Sequence, residues 1–214
     1  IYCLNMICEE IEGNDMDMRP IGVFDSGLGG LTAVRSLRQI LPEENLIYFG
    51  DTARVPYGGR SKETLLKYAR QDVRFLRSSD IKAILIACGT VSTTSLETLQ
   101  KENDLPIVGV VEPTCRRALL VTRNKRVGII ATLASIRSGA YEATLKRLDS
   151  EVEGVGKACP LFGRHRHRDR GKRVSGAAEG DGDRHPDPGL YPLSASDGSR
   201  VGYHGTGGDP GFRR

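Results

Sequence analysis

Short apolar runs alternate with amphipathic stretches along the first 162 residues of the chain. The first run, over residues 21–24, ends at a turn that is rich in glycine. Apolar side chains then recur at the three- and four-residue spacing of a helix, at Leu31, Val34, Leu37 and Leu41. This order predicts a strand, a glycine turn and a helix.

The same unit recurs further along the chain. A second apolar run covers residues 45–49. Ser61, followed by Glu63 and Thr64, then predicts the start of an amphipathic helix. Further apolar runs, each followed by a helical stretch, cover residues 81–87, 106–111 and 126–131. Alternating strands and helices predict an α/β fold with a parallel sheet and right-handed crossovers.

Polar residues interrupt the apolar runs at the points where the predicted strands end. They are Asp25-Ser26, Asp51, Cys88-Gly89-Thr90, Glu112 and Thr132. Ligands of parallel α/β sheets bind outside the carboxyl ends of the strands, so these residues are expected to line one pocket. Gly27-Leu28-Gly29-Gly30 lacks the spacing of a dinucleotide fingerprint, but it offers backbone N–H groups suited to a carboxylate.

Cys88 is the side chain that most strongly suggests chemistry. A single thiol after a buried strand is more often an inert core residue. Cys88, however, precedes a glycine and a hydroxyl where a helix is predicted to begin. A helix N-terminus lowers the pKa of a thiol, so we expect a reactive thiolate there. Cys115 and Cys159 lack such a setting and are interpreted as structural.

Composition excludes several classes of protein. The chain has 31 basic and 27 acidic residues, and its formal net charge of +4 is too small to indicate nucleic-acid binding. No apolar run approaches the ~20 residues of a membrane helix. The five cysteines contain no Cys-x-x-Cys pair, so no zinc site or redox dithiol is expected. Reduced thiols in the cytosol are the expectation.

The two ends of the chain differ from its middle. Residues 1–17 lack the pattern of a signal peptide and precede Met18, so we interpret them as a disordered upstream extension. Residues 163–214 contain all four histidines and no isoleucine. Such a segment has too few large apolar side chains to offset chain entropy. It is predicted to be disordered, with weak RNA binding as a minor alternative.

Five motifs of the chain resemble those of glutamate racemases, in order and at similar spacing. They read Gly22-Val-Phe-Asp-Ser-Gly-Leu-Gly-Gly-Leu31, Tyr48-Phe-Gly-Asp-Thr-Ala-Arg-Val-Pro-Tyr-Gly58, Ala87-Cys-Gly-Thr90, Gly109-Val-Val-Glu-Pro113 and Ala158-Cys-Pro-Leu-Phe162. The resemblance implies the aspartate/glutamate racemase superfamily, with two α/β domains around a central cleft. On that pattern residues 18–112 form the first domain, and residues 113–162 begin a second domain that is incomplete.

The resemblance also implies a mechanism without cofactor or metal. In the family, two cysteines face opposite sides of the substrate α-carbon, where one thiolate removes the proton and the other thiol delivers one. Carried onto this chain, Cys88 is the first acid/base, and Asp25 tunes it or relays its proton. The residues expected to hold the substrate are Asp25, Ser26, Tyr57, Gly58, Gly89 and Thr90, with Thr132 as a further contact. Family members usually have Asn where Gly89 stands, so one hydrogen-bonding amide is missing here.

The second cysteine of the family lies in a motif reading Leu-Ile-Leu-Gly-Cys-Thr-His-Tyr-Pro-Leu, and no such stretch occurs in this chain. Read one nucleotide later, the codons for residues 186–196 can spell this whole motif without a gap. We therefore hypothesise that a one-base insertion or deletion near Phe162 has placed residues 163–214 out of frame. The His165-x-His167 pair is then not a metal site.

The resemblance implies interconversion of L- and D-glutamate, which supplies D-glutamate for peptidoglycan in the bacterial cytoplasm. The alternative within enzymes is a sister racemase that acts on aspartate. A different class is a catalytically dead fragment that only binds an acidic amino acid, and this interpretation is favoured for the chain as written. The expected partner is the small molecule glutamate, with no nucleic acid and no membrane, and a homodimer is left open.

Overall fold

A computed structural model describes residues 17–159 of the protein and the backbone of residues 190–193. The predicted extension over residues 1–17 lies outside the described residues, Asp17 excepted. The predicted out-of-frame tail over residues 163–214 also lies outside them, apart from the short strand at residues 190–193.

A five-stranded sheet forms the centre of the first domain. Its strands are β1 (Ile21–Asp25), β2 (Leu46–Gly50), β3 (Ala83–Ile86), β4 (Ile107–Gly109) and β7 (Leu190–Leu193). The order across the sheet is β4-β3-β1-β2-β7, with β1 to β4 parallel and β7 antiparallel to β2. Because β1 lies between β2 and β3, its last residue, Asp25, emerges at the middle of the carboxyl edge.

Helices and one 3-10 turn connect the strands of this sheet and of the second unit. They are α1 (Leu31–Ile40), the turn Thr52–Arg54, α2 (Lys62–Arg77), α3 (Gly89–Thr94), α4 (Leu96–Glu102), α5 (Val111–Val121), α6 (Leu133–Ser138) and α7 (Ala140–Leu148). The predicted start of α2 is confirmed, since Ser61 Oγ accepts a hydrogen bond from Thr64 N at 3.3 Å.

Hydrophobic clusters cover both faces of the main sheet. On one face, Val23 belongs to a buried cluster with Leu37 of α1. On the other, Phe24 packs in a cluster with Leu65 of α2. Alternate residues of one strand therefore enter opposite cores. The prediction of an α/β parallel sheet covered on both sides is confirmed.

The described part of the second unit is smaller. Strands β5 (Arg126–Ala131) and β6 (Glu153–Ala158) pair in parallel, and one face of the pair packs near Leu145 of α7. The other face exposes Ile130, with 72% of its surface accessible. The sequence predicted β5 but not β6, because β6 contains two glycines and two charged residues and so has no apolar run.

Among the described residues, no helix combines the length and the apolar character that crossing a bilayer requires.

Candidate active site

The glycine loop after β1 is organised by Asp25. Its side chain is 8% exposed, and its Oδ2 accepts hydrogen bonds from Gly27 N at 3.1 Å and Gly30 N at 3.0 Å. These N–H groups were expected to receive a ligand carboxylate, and that expectation is wrong for both amides. They already bind the carboxylate of Asp25, and so fix its position at the sheet edge.

Cys88 lies beside this loop. It follows β3 as the N-cap residue of α3, and it is 3% exposed. The hydrogen bond from Ala87 N to Phe24 O, at 2.8 Å, keeps the ends of β3 and β1 together. The thiol of Cys88 then donates to Ser26 Oγ at 3.3 Å. Three residues that the sequence assigned to the site, Asp25, Ser26 and Cys88, therefore meet at one point.

Burial raises the pKa of the Cys88 thiol, and the negative charge of Asp25 raises it further. The hydrogen bond to Ser26 lowers the pKa, but by less than burial and Asp25 raise it. The expectation of a lowered thiol pKa is therefore wrong. Helix α3 has only six residues, and desolvation of the thiolate outweighs its N-terminal dipole. The raised pKa favours the protonated thiol at neutral pH.

Hydroxyl groups connect the first domain to the second unit. Thr90 Oγ1 lies 3.1 Å from Thr132 Oγ1. Thr132 caps α6 by accepting from Ser135 N at 3.2 Å, and Thr93 Oγ1 donates to Ser135 Oγ at 3.2 Å. Sequence reasoning found Thr90 and Thr132 but missed Thr93 and Ser135. The available signal was a threonine three residues before a serine at a helix start.

Tyr57 reaches the site through its loop rather than through its hydroxyl. The hydroxyl donates to Asp51 Oδ2 and lies 3.1 Å from Asp72 Oδ2, in a buried cluster. The hydroxyl of Tyr57 is therefore already engaged, and the predicted substrate contacts of Tyr57 and Gly58 would have to use their backbone. That backbone is anchored across the cleft, because Gly58 O accepts from Ala134 N of α6 at 3.2 Å.

The expectation of one pocket for all strand-end residues is wrong for Glu112. Its carboxylate pairs with Arg116 and Arg147, each at 2.6 Å. It lines a cavity of about 860 Å³ that Gly58 and Thr93 also line, whereas Cys88 does not. The two arginines therefore fix the Glu112 carboxylate in a cavity that the thiol does not line.

The position of Gly89 is open. A Cβ built on this residue meets only the Tyr141 hydroxyl within 4 Å, at 3.6 Å. The structure therefore leaves space beside Gly89 for the start of a side chain such as the asparagine that the resemblance led us to expect. Within residues 17–159 and 190–193, no three His, Cys, Asp or Glu side chains come together as a metal site requires.

The parallel α/β domain, with a thiol and a carboxylate at its strand ends, has the architecture of an amino-acid racemase. The Asp/Glu/Hydantoin racemase family model matches residues 31–169, and the chain belongs to this family. The relatives described next are glutamate racemases. The protein of Geobacter metallireducens is 52% identical over 147 residues, which are 69% of this chain and 54% of that protein.

Solved structures agree with this assignment. Glutamate racemase isoform RacE1 from Bacillus anthracis superposes with a TM-score of 0.65 at 39% identity, covering 66% of this chain and 53% of that one. The Francisella tularensis glutamate racemase in complex with D-glutamate has a TM-score of 0.62 at 44% identity, covering 69% and 55%. The chain thus spans about half the length of the relatives it matches.

Proposed function

We propose that the sequence encodes a glutamate racemase and that the described residues build one side of its two-cysteine site. The observation that carries the proposal is the Cys88 thiol, 3% exposed and 3.3 Å from Ser26 Oγ, at the carboxyl edge of the sheet. The named relatives support glutamate as the substrate. Its D-isomer would be used for peptidoglycan in the cytoplasm.

The local electrostatics suit Cys88 to the role of proton donor. Because burial and Asp25 raise the pKa of Cys88, the thiol carries its proton at neutral pH. Ser26 accepts this S–H group and so orients it. Asp25 is held by two backbone amides, which keeps its charge near the sulfur. A protonated thiol on one face of the α-carbon is one of the two groups that inversion needs.

The opposite face needs a second acid/base, and no other stretch of the sequence carries the family's second cysteine motif. We propose that residues 163–214 are the out-of-frame product of a one-base change near Phe162. Sequencing the nucleotides that encode residues 155–200 tests this. A shifted frame that spells the missing motif would support the proposal, and an intact frame with the same tail would refute it.

The activity test follows α-proton exchange and inversion separately. The chain is incubated in D2O with L-glutamate and with D-glutamate, because a single thiol faces the α-proton of only one enantiomer, and in parallel with both isomers of aspartate. Loss of the α-proton signal is measured by NMR, and inversion is measured by chiral chromatography. Exchange with inversion, on glutamate rather than aspartate, is expected of a complete racemase. Exchange of one enantiomer without inversion indicates a one-sided site, in which the deprotonated fraction of Cys88 removes the α-proton and the deuterated thiol returns a deuteron to the same face.

Two matched variants locate the chemistry. Cys88→Ser is expected to abolish exchange, because a serine hydroxyl is far too weak an acid to replace the thiol. Cys115→Ser is the control, since this thiol is equally buried but donates to the Tyr141 carbonyl at 3.7 Å. Exchange that survives in Cys88→Ser would overturn the assignment of this residue.

A further inference from the structure

Four polar side chains fasten the loop that carries Tyr57, namely the buried Asp51, Tyr57 and Asp72 and the partly exposed Arg54. Arg54 Nε lies 2.6 Å from Asp51 Oδ2, and Arg54 Nη2 lies 2.6 Å from Asp72 Oδ1. Tyr57 Oη contacts both carboxylates, by a hydrogen bond to Asp51 Oδ2 and at 3.1 Å from Asp72 Oδ2. Asp51 and Asp72 are each 1% exposed, so these contacts form in a low-dielectric interior.

The number of protons decides how these contacts form. A phenol has a single proton, so Tyr57 can donate to only one carboxylate. The short contact with Asp51 uses that proton, and the phenol oxygen then offers only lone pairs to Asp72 Oδ2. Two carboxylates against one guanidinium would also leave a net negative charge in the interior. One further proton, on Asp72, removes both problems.

We propose that Asp72 is a positioning residue for the site: its protonated carboxyl donates to Tyr57 Oη and thereby holds the Tyr57-Gly58 loop in place. The proton order is then Asp72 to Tyr57 to Asp51, with Arg54 bridging the two carboxyl groups from the other side. Asp72 belongs to α2, whereas Cys88 caps α3, so Asp72 acts on the site only through Tyr57.

The electrostatics of the cluster support this placement of the proton. Burial raises the pKa of Asp72 to about 7, the charge of Asp51 adds to the rise, and Arg54 and Tyr57 oppose it. These three groups face Asp72 from the end of β2, the 3-10 turn and the loop. On its own helix, Tyr68 stacks on the Arg54 guanidinium, with its ring centroid 4.5 Å away.

The loop transmits this state to the site through two backbone hydrogen bonds. Arg60 N donates to Tyr57 O at 2.9 Å, and Ala134 N donates to Gly58 O at 3.2 Å. Both amides therefore report whether the loop is in place. If the loop opens, Asp72 is hydrated and its pKa returns toward the ordinary value of 3.8. Opening then releases the proton, so raising the pH favours the open loop.

The test is hydrogen exchange of the Arg60 and Ala134 amides by NMR, corrected for the intrinsic exchange rate at each pH. From the two pKa values, protection is expected to fall roughly 10- to 50-fold between pH 5 and pH 7 and to level off above that. The Asp149 amide, which donates to Leu145 O in the second unit, is the control and should not follow this profile. A flat profile at Arg60 and Ala134 would overturn the proposal.

Two Asp→Asn variants test whether the pH dependence of loop protection comes from the carboxyl group of Asp72. Asp72→Asn carries a permanent N–H donor, so protection is expected to stay high and independent of pH. Asp104→Asn is the control: its carboxylate also pairs with an arginine of α2, Arg77 at 2.5 Å, but it is 81% exposed. This control should keep the wild-type profile. If Asp72→Asn fails to fold, ¹³C titration of the Asp72 carboxyl in the wild type decides, and a midpoint below pH 5 contradicts the proposal.

The consequence for glutamate rests on the proposed function. Glutamate affinity should weaken over the same pH range in the wild type and not in Asp72→Asn. Loop protection is measured without ligand, so the two failures are distinguishable. Absence of glutamate binding at every pH counts against the proposed function, whereas a flat protection profile counts against Asp72.

Discussion

Gly30→Ala is the substitution for which the structure makes the sharpest quantitative prediction. A Cβ at this position would lie 2.7 Å from Asp25 Cβ, 3.0 Å from Ala87 Cβ and 3.1 Å from Tyr48 Cε2. These atoms belong to the buried centre of the sheet, and none is the free end of a flexible side chain. The glycine backbone must therefore move, and with it the N–H group that binds Asp25.

The expected loss has two parts. Overpacking a well-packed interior costs about 1–3 kcal/mol. Weakening the 3.0 Å hydrogen bond to a charged carboxylate costs about 1.5–3 kcal/mol more. Together they predict a loss of about 2.5–6 kcal/mol, a large share of the ~5–15 kcal/mol by which domains are stable.

The measurement is the free energy of unfolding from urea titration, followed by circular dichroism. Gly59→Ala is the matched control, because a Cβ there meets no atom within 4 Å and Gly59 is exposed. It should change the stability by less than about 1 kcal/mol. If both variants unfold at the same urea concentration, then the close contact with Asp25 is not the reason that position 30 requires glycine.

Two further substitutions probe the site. Gly89→Asn should fold normally, since a Cβ at this position meets only the Tyr141 hydroxyl, at 3.6 Å. The added amide should strengthen glutamate binding by about one hydrogen bond, or ~1 kcal/mol, as measured by calorimetry. Gly89→Ala is the control without an amide, and equal affinity of the two variants would contradict the prediction. Tyr48→Phe removes the 2.7 Å hydrogen bond to Gly27 O and should destabilise the domain by about 1 kcal/mol in urea titration. No loss of stability would mean that this bond does not hold the loop.

Much of the fold was predictable because it depends on local patterns. Apolar runs located β1 to β5, and in β1 to β4 the reason is that strands of a sheet covered on both sides are apolar on both faces. Ser61 located the start of α2, because an N-cap side chain acts within three residues of its own position. Strand β6 was missed because its glycines leave no such pattern.

The candidate site was likewise predictable only in part. Parallel strand ends meet at one edge, so the order of the strands along the chain was enough to place Asp25, Ser26 and Cys88 together. It could not show that Asp25 would occupy the amides of its own glycine loop, since this depends on the path of the turn.

The sequence by itself determined which residues stand at the strand ends, because hydrophobic periodicity encodes burial one segment at a time. Only the tertiary structure decided their charge states. The pKa of Cys88 depends on burial and on Asp25, far away in the chain. The proton assigned to Asp72 depends on Asp51 and Arg54, which approach it only when α2 packs beside the sheet. Desolvation and Coulomb forces act across space, so their balance is set by packing and leaves no periodic signal in the chain.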